Sequence, residues 1–350
     1  MAVGGAQREA SDARIRVAVL GAGALGSLFG GRLAAAGVPV TLISTRAEHI
    51  AAIRSRGLTI TGPGPGEKQV MPVAAATDPA AAGGPFDLVL LTVKAPATGR
   101  ALETIGPLLG PETLVLTLQN GLGNAEAVAA RVGSARTLVG VTAQGARMDG
   151  PGRIHHAGGG LTEIGPYWEG PAAEPERVAA VAGLIRRAGF AVEVLAAPEV
   201  RSAVWTKLLV NAGINALTAL LGVANGRLPE LPSARELVAA AVAEGAAVAR
   251  ALGIPLRCPD PVAHTLAVAA ATGANRSSML ADVERRRPTE VMQINGAIAA
   301  AAERLGLAAP VNRTLALLIR ALEESWGTMP EGAREENLGR MREEDSGREG

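Results

Sequence analysis

The sequence predicts an α/β protein in which a doubly wound parallel sheet is followed by an all-helical domain. Short apolar strands alternate with helical segments through the first half of the chain, which is the pattern of a doubly wound fold. Several of these strands are continuous apolar runs, as burial on both faces of a parallel sheet requires. From about residue 197 only helical periodicity remains, so we place the domain boundary near Ala196.

The strands and helices of the first half follow one another at short intervals. A strand in IRVAVLG precedes a helix from about Ala24 to Ala36, and a strand in VPVTLIS precedes a helix through AEHIAAIRSRG. Further strands are expected in FDLVLLTV and TLVLTLQ, and then in LVGVTAQGARMDGPGRIHHAGGGLTEIG, where glycine-rich turns join them. These segments define a predicted sheet domain over residues 14–196.

The second half predicts a helical domain over residues 197–327. Periodicity and Gly or Pro punctuation indicate helices in EVRSAVWTKLLVNAGINALTALLG, SARELVAAAVAEGAAVARALG, PVAHTLAVAAATG, SSMLADVERR and PTEVMQINGAIAAAAERLG. Residues 1–13 and 328–350 are polar or charged and poor in bulky apolar side chains, which predicts disordered tails. Whether the helices present an apolar face to their own core or to a second copy in a homodimer stays open.

Composition argues against several classes of partner. The net charge is +1 and the basic residues are interspersed with acids, so no electrostatic footprint for nucleic acid is expected. The longest apolar run, LLVNAGINALTALLGVA, contains two asparagines and is shorter than the ~20 residues of a membrane span, which favours a core helix. The single cysteine and the lack of an apolar leader predict a cytoplasmic protein with no membrane partner. No Cys or His cluster has metal-ligand spacing, so no metal is expected.

A glycine-rich loop follows the first strand and opens the first helix. Gly21, Gly23 and Gly26 have G-x-G-x-x-G spacing, in which the first allows a tight turn, the second admits a pyrophosphate and the third permits close helix packing. Amides at the helix N-terminus would then face the anion. Because a strand precedes the loop and a helix follows it, we expect a dinucleotide at Gly21, Ala22, Gly23, Ala24, Leu25 and Gly26.

The end of the second strand bears on the choice of dinucleotide. A site for NAD commonly has Asp or Glu there to bind the ribose 2′-OH, whereas this strand is followed by the sequence from Ser44 to Arg46. A guanidinium suits a 2′-phosphate, which it can bind bidentately. NADP (NADPH) is therefore the expected cofactor, with Arg46 as a ligand, although the nearby Glu48 keeps NAD open.

Polar residues lie at the predicted ends of two consecutive strands. Lys94 ends LVLLTVK, and Asn120 follows TLVLTLQ immediately before Gly121. Doubly wound folds bind their ligands at the carboxyl edge of the sheet. Either residue alone is more often a surface group, but two that face the same crevice predict a ligand site.

A lysine and two asparagines interrupt the apolar stretch WTKLLVNAGINA. Only three of the 34 basic residues are lysines, and Lys207, Asn211 and Asn215 are spaced four residues apart, which puts them on one face of a helix. Asparagine is a poor helix former, and a lysine ammonium can give up its proton when desolvated, as a general acid must. The alternative is structural, with the ammonium reaching solvent and the amides hydrogen-bonded within the helical domain.

The later stretch NRSSMLADVERRRPTEVMQING offers Ser277, Ser278 and Glu290. By themselves these residues have structural explanations, because Ser is a common N-cap and Glu is favourable in the first turn of a helix. Their significance depends on the motifs that accompany them.

The chain resembles the ketopantoate reductase (2-dehydropantoate 2-reductase) family in the motifs GAGALG, TVKAPAT, QNGLGN, GPGRIHHAGGGLTEIG, WTKLLVNAGINALTAL and RSSMLADVERRRPTEVMQING. The resemblance extends from about residue 15 to 322. It implies a Rossmann-type domain followed by a helical domain resembling that of 6-phosphogluconate dehydrogenase. It also implies NADPH-dependent reduction of a small 2-oxo acid, 2-dehydropantoate, to (R)-pantoate on the route to pantothenate and coenzyme A.

The resemblance further implies roles for individual residues. Lys207 matches the proton donor of the family, and Glu290 matches the glutamate near the nicotinamide ribose that supports catalysis. The implied substrate ligands are Asn211, Asn215, Asn225, Ser278 and Lys94. The implied cofactor ligands, besides the glycine loop, are Arg46, Lys94, Asn120, Ala146 and Glu290.

Two other functions stay open. GVTAQGAR and the APAT after Lys94 lack aromatic residues that the family often has, so the preferred side chain of the substrate is less constrained than the chemistry. One alternative is therefore a related NADP-dependent reductase of another small 2-oxo acid. The other is a catalytically silent dinucleotide-binding sensor, which would need few of the residues Lys207, Asn211, Asn215, Ser278 and Glu290.

Overall fold

A computed structural model describes residues 15–64, 66–170 and 173–328 of the chain. Within them the predicted α/β class is confirmed, since a mainly parallel sheet in the first half of the chain is followed by helices. The predicted disordered tails lie outside the described residues, except that residue 328 ends the last helix.

The strands and helices are numbered in chain order. The strands are β1 (Val17–Leu20), β2 (Val40–Ile43), β3 (Leu58–Thr61), β4 (Lys68–Met71), β5 (Ala74–Ala76), β6 (Phe86–Leu91), β7 (Leu109–Thr117), β8 (Thr137–Thr142), β9 (Gly145–Gly150), β10 (Arg153–Gly158), β11 (Thr162–Pro166) and β12 (Val192–Val194). The α-helices are α1 (Ala24–Ala35), α2 (Ala47–Arg56), α3 (Thr98–Thr104), α4 (Asn124–Val132), α5 (Pro175–Arg187), α6 (Ala197–Leu221), α7 (Arg227–Glu230), α8 (Pro232–Ala251), α9 (Pro261–Ala271), α10 (Ser278–Glu284), α11 (Asn295–Arg304) and α12 (Pro310–Thr328).

The chain forms two compact units. The first comprises the described residues up to Leu209 together with Ala246–Pro261, and the second comprises Val210–Gly245 together with the described residues from Val262 onward. Helix α6 contributes its first part to one unit and its last part to the other. A single boundary near Ala196 stays a prediction.

An eight-stranded sheet lies in the first unit, in the order β12-β11-β8-β7-β6-β1-β2-β5. Its paired strands are parallel except for β11, which runs antiparallel to β8. Alternate residues of β1 enter different apolar clusters: Val17 and Val19 belong to the cluster that contains Phe29, whereas Ala18 belongs to the cluster that contains Leu102. Because both faces of the sheet are covered, its strands are continuous apolar runs in the sequence.

A second sheet in the first unit was not predicted. It has four strands in the order β4-β3-β10-β9, with β10 parallel to β3 and antiparallel to β9. Strand β4 is exposed at three of its four positions, so its sequence KQVM has no apolar alternation to reveal it. The pairing of β3 with β10 joins segments about ninety residues apart, which local sequence patterns do not report.

The second unit is built from helices that a buried polar network holds together. Asn295 and Asn312 are fully buried, and the Nδ2 of Asn295 donates to the Ala212 carbonyl and to Asn312 Oδ1, each at 3.0 Å. The carboxylate of Glu244 accepts the amides of Val311 and Asn312 at 2.8 and 2.9 Å. These amides belong to the first turn of α12, whose positive end the carboxylate stabilises.

One helix begins later than its periodicity predicts. The stretch PTEVMQINGAIAAAAERLG was predicted to be helical, but α11 begins at Asn295, and the preceding residues form a bend and turns. The amide of Thr289 is held by Glu323 Oε1 at 2.7 Å, and Ile294 has φ −105° and ψ −92°, outside the helical region. Glu290 therefore lies in a bend, and the prediction of a first helical turn there was wrong.

Among the described helices, α6 is the one long and apolar enough to cross a membrane by length and composition alone. Its most apolar window has a mean hydropathy of 1.3, and 61% of that window is buried inside the fold. This burial agrees with the core helix that the sequence predicts.

Candidate active site

Five parallel strands bring their carboxyl ends to one edge of the large sheet, in the order β8-β7-β6-β1-β2. Adjacent strands lie ~4.8 Å apart, so this edge spans roughly 19 Å from β8 to β2. The chain turns to opposite sides of β1 when it forms β2 and β6, and such a switch point is where open α/β sheets bind ligands. The strand ends carry, in the same order, Thr142, Asn120, Lys94, Gly21 and Arg46.

The glycine loop after β1 is fixed by backbone packing. Gly21 has φ +107°, and a Cβ there would lie 2.3 Å from the amide nitrogen of Val93. A Cβ on Gly26 would lie 2.4 Å from Thr92 Oγ1, which itself donates to the Gly21 carbonyl at 2.9 Å. Two of the three glycines are therefore required by contact between the ends of β1 and β6.

Gly23 differs from the other two glycines because the fold itself does not need it. It is the N-cap of α1 with φ −80° and ψ −154°, and the nearest atom to a Cβ there would be the Gly21 oxygen at 3.8 Å. No side-chain hydrogen bond caps α1, and the first amides of a helix have no intrahelical partner. Open space beside a helix N-terminus fits the pyrophosphate of a dinucleotide.

Arg46 follows β2 and is the N-cap residue of α2. Its side chain is exposed, and its Nη1 lies 3.4 Å from Met148 Sδ on β9. Glu48, two residues further on, is also exposed. A cation and a carboxylate are therefore both presented at this strand end.

Behind Arg46, the buried His49 joins α2 to α1 and to the turn that connects β9 with β10. The amide of Gly152 donates to Nδ1 of His49 at 3.0 Å, so the ring proton of the neutral form lies on Nε2, 3.1 Å from Ser27 Oγ. Burial, and then the positive charge of Arg46, lower the pKa of His49 below its ordinary value of 6.5. The ring is therefore held in the neutral form at neutral pH.

Lys94 and Asn120 each lie three residues beyond the end of a strand, β6 and β7 respectively, whereas the sequence predicts that Lys94 itself ends its strand. Lys94 is exposed and is the N-cap of the short 3-10 turn Ala95–Ala97. Asn120 is half-buried, and its carbonyl accepts Nδ2 of Asn124 at 2.9 Å. The structure thus brings the two loops to adjacent positions on the carboxyl edge.

Lys207 also reaches this edge. Its Nζ donates to the carbonyl oxygen of Thr142, the last residue of β8, at 2.8 Å. The side chain is half-buried, and Thr142 itself is buried, with its Oγ1 2.8 Å from Thr162 Oγ1. An ammonium group is therefore fixed at the opposite end of the edge from Arg46.

The candidate residues that follow Lys207 in the chain lie in the second unit. Asn211 is half-buried and Asn215 is buried, and both lie with Lys207 in the uninterrupted helix α6. Asn225 is buried in a turn, where its Nδ2 donates to Thr272 Oγ1 at 3.0 Å. Its Oδ1 is buried and has no hydrogen-bond partner among the described residues.

The two adjacent serines have different surroundings. Ser277 is buried and caps α10, since its Oγ accepts the amide of Leu280 at 3.1 Å and lies 2.7 Å from Thr218 Oγ1. Ser278 is exposed and is the first residue of α10. Of the pair, Ser278 is the one exposed to solvent. Glu290 is buried, at 5% exposure.

Two residues show what sequence patterns do not locate. Ala146, a cofactor ligand that only the resemblance implies, lies on β9 of the second sheet, opposite His156. Gln119 was not singled out, although its amide bridges the loops after β6 and β7. The one signal for it is a glutamine at the end of an apolar strand, directly before Asn120.

A doubly wound sheet with a glycine loop and polar strand ends on its carboxyl edge defines a Rossmann-type dinucleotide-binding protein. The family model described as Ketopantoate reductase PanE/ApbA matches residues 17–169, and that of its C-terminal domain matches residues 199–323. The chain belongs to the ketopantoate reductase PanE/ApbA family. It is therefore an oxidoreductase acting on a CH–OH group.

The chain is similar to known proteins over nearly their whole length. A 2-dehydropantoate 2-reductase of Halobacterium salinarum is 42% identical over 306 residues, which cover 87% of this chain and 98% of that protein. The structure of a PanE/ApbA family ketopantoate reductase from Ralstonia eutropha is 35% identical with a TM-score of 0.79, covering 89% of this chain and 99% of that one. The ternary structure of D-mandelate dehydrogenase with NADH and anilino(oxo)acetate is 29% identical with a TM-score of 0.82 at the same coverage. Together they support a nicotinamide dinucleotide as the cofactor.

The two kinds of glycine give a matched pair of substitutions. Gly23→Ala is expected to leave the free energy of unfolding unchanged or raise it by less than about 1 kcal/mol, because its backbone suits alanine. The new methyl group would occupy the open space, so affinity for NADP⁺, measured by calorimetry, should fall at least about tenfold. Gly21→Ala should instead destabilise the fold by roughly 1–3 kcal/mol through its positive φ and its clash with Val93. Wild-type affinity in Gly23→Ala would contradict this interpretation of the loop.

The lowered pKa of His49 predicts that the folded chain loses stability in mild acid. Its pKa is lower in the folded chain than its ordinary 6.5, so the unfolded chain binds the proton more readily. The contribution of His49 is complete above pH 6.5 and is lost as the pH falls from there toward the folded pKa. In His49→Asn this part of the decline should disappear when urea unfolding is measured from pH 7.5 to 5. An unchanged slope in the variant would exclude His49 as its source.

Proposed function

We propose that this chain is a cytoplasmic 2-dehydropantoate 2-reductase, which uses NADPH to reduce ketopantoate to (R)-pantoate on the route to pantothenate and coenzyme A. The observation that carries the proposal is 42% identity, over 87% of the chain, to a relative named 2-dehydropantoate 2-reductase. The lysine and asparagines of α6 and the strand-end residues of the large sheet support it.

The proposed cofactor ligands follow the carboxyl edge of the large sheet. Arg46 would bind the 2′-phosphate, the loop from Gly21 to Gly26 would receive the pyrophosphate, and Lys94 and Asn120 would contact the nicotinamide end. The order of these groups along consecutive strands supports this direction. Ala146 and Glu290 complete the proposed set of ligands.

Polar side chains that add no negative charge would bind the anionic substrate. Amides can hydrogen-bond both the carboxylate and the 2-oxo oxygen, and the unpartnered Oδ1 of Asn225 is an acceptor for a substrate hydroxyl. Ser278, an exposed residue, adds a hydroxyl. The proposed substrate ligands are Asn211, Asn215, Asn225, Ser278 and Lys94.

The proposed chemistry depends on Lys207. When bound, the cofactor NADPH would supply a hydride to the 2-oxo carbon of the substrate. The Lys207 ammonium then protonates the oxygen as it becomes an alkoxide, and Glu290 supports this step. The Thr142 carbonyl, 2.8 Å from Nζ, orients the ammonium through a charge-assisted hydrogen bond. Lysine suits this role because, unlike arginine, it can release its proton.

Replacement of Lys207 tests the proton donor. Lys207→Ala is expected to lower kcat by about 10²- to 10⁴-fold, the usual contribution of a positioned general acid. Lys207→Arg should also lose activity, because it keeps the charge but holds its proton. Lys68→Ala, at an exposed lysine of β4, is the matched control and should keep wild-type turnover. Near-normal kcat in a folded Lys207→Ala variant would show that the role is wrong.

Replacement of Arg46 tests the choice of NADP. Arg46→Ala should raise KM for NADPH about 10- to 100-fold, since a hydrogen bond to a charged group contributes roughly 1.5–3 kcal/mol. KM for NADH, which has no 2′-phosphate, should stay the same. Arg56→Ala, at the other end of α2, is the control. An equal effect of Arg46→Ala on both cofactors would count against 2′-phosphate recognition.

A reductase of another small 2-oxo acid is the second candidate. The similarity to D-mandelate dehydrogenase in complex with NADH favours it, because that protein is 29% identical with a TM-score of 0.82. It would share the lysine and the cofactor loop but differ in the residues around the side chain of the substrate.

The deciding experiment measures reduced-cofactor oxidation with ketopantoate, pyruvate, a branched 2-oxo acid and an aryl 2-oxo acid, each with NADPH and with NADH. We expect the highest kcat/KM with ketopantoate and NADPH. A higher value with another acid would favour the second candidate. Tight NADPH binding without turnover of any acid would instead indicate a sensor.

A further inference from the structure

A continuous hydrogen-bond chain joins the loops after β6 and β7. It centres on Gln119, a half-buried residue just beyond the end of β7. Thr98, at the start of α3, and Asn124, at the start of α4, are buried at 5% exposure each and extend the chain. The side chains lie behind the loops that carry Lys94 and Asn120.

The hydrogen bonds around Gln119 are all consistent with one orientation of its side-chain amide. Thr117 Oγ1 donates to Gln119 Oε1 at 2.9 Å. The Nε2 of Gln119 donates one proton to the Val93 carbonyl at 2.9 Å and the other to Thr98 Oγ1 at 2.7 Å. Every polar atom of the amide is therefore used inside the protein.

The chain continues from Thr98 to the backbone of the second loop. Thr98 Oγ1 donates to Asn124 Oδ1 at 3.1 Å, and Asn124 Nδ2 donates to the Asn120 carbonyl at 2.9 Å. One end of the network thus holds the backbone after β6, and the other holds the backbone after β7. Buried hydrogen-bond networks of this kind make the loops that they join rigid.

Both carbonyl groups adjoin residues of the proposed site. Val93 immediately precedes Lys94, and its amide nitrogen is the group against which Gly21 packs. Asn120 is itself a proposed cofactor ligand. The network therefore sets the spacing between these two ligands and ties both to the glycine loop.

We propose that Gln119 is a positioning residue that fixes where Lys94 and Asn120 meet the nicotinamide end of the dinucleotide. The inference rests on the proposed function, since it takes these two residues as cofactor ligands. Displacement of a positioning group by about 1 Å can cost on the order of 10²-fold in rate. Loss of the Gln119 amide should therefore affect catalysis more than folding.

Gln119→Leu tests the proposal, because it keeps the bulk of the side chain and removes its hydrogen bonds. With saturating ketopantoate, kcat/KM for NADPH should fall about 10- to 100-fold and the Kd for NADP⁺ should rise. Thr98→Val breaks the same chain one link further on and should give the same loss, whereas Thr98→Ser keeps the hydroxyl and should restore activity. Combining Gln119→Leu with Thr98→Val should cost less than the sum of the two.

Thr113→Val is the matched control for a merely structural role. Thr113 is buried in the middle of β7, where its Oγ1 accepts the Gly110 amide at 2.7 Å and donates to the carbonyl of Phe86, the first residue of β6, at 2.5 Å. The same two strands thus lose a comparable link far from the carboxyl edge, and stability should fall without a change in kcat/KM. If Gln119→Leu and Thr113→Val lose kcat/KM in equal measure, Gln119 is structural and the inference is overturned.

The wild-type chain separates this inference from the proposed function. Absence of NADPH oxidation with ketopantoate would overturn the proposed function. The positioning role of Gln119 would then be judged from the Kd for NADP⁺ alone. It predicts that the Gln119→Leu variant binds NADP⁺ more weakly than the Thr113→Val variant does. An active wild type whose Gln119→Leu variant has unchanged kcat/KM and Kd would overturn the positioning role alone.

Discussion

The backbone of Gly21 lies so close to the backbone of Val93 that the loops after β1 and β6 can move only together. A Cβ at Gly21 would come within 2.3 Å of the Val93 nitrogen, and Thr92 Oγ1 holds the Gly21 carbonyl at 2.9 Å. The Gln119 amide then ties the Val93 carbonyl to the loop after β7. Three adjacent strand ends are thus held together, and the relative positions of the glycine loop, Lys94 and Asn120 follow from this packing.

The carboxyl edge of the large sheet carries a cationic side chain near each end. Arg46 presents a cation at the β2 end, and the Lys207 ammonium lies at the β8 end on the Thr142 carbonyl. Between them the N-terminus of α1 offers backbone amides to an anion. In a chain whose basic residues are nearly all arginines, lysine occurs at the one proposed position that needs a releasable proton. In the proposed function, the same edge binds an anionic cofactor at one end and donates a proton at the other.

Most of the fold could be predicted from the sequence because its signals are local. The apolar runs of β1, β2, β6 and β7 are buried on both faces, and the polar residues that follow them fall on one edge by the geometry of parallel strands. The second sheet could not be predicted, since the exposed β4 carries no apolar alternation and β3 pairs with a distant segment. Helical periodicity also continued through Glu290, where the contact of Thr289 with Glu323 forms a bend instead. The role of Gln119 could not be predicted from the sequence either, because a hydrogen-bond network depends on which loops the fold brings together. The roles of Asn225 and Ala146 are implied by the resemblance alone, whereas those of the glycine loop, Arg46 and Lys207 also follow from their spacing and chemistry, and all of these roles stay predictions.

The most direct test of the dinucleotide edge is a crystal structure of the complex with NADP⁺. We expect the 2′-phosphate to contact Arg46, the pyrophosphate to lie over Gly23 at the start of α1, and the nicotinamide to lie beyond Lys94 and Asn120 toward the Lys207 ammonium. A dinucleotide bound in the reverse direction, or away from the carboxyl edge of the large sheet, would contradict this account.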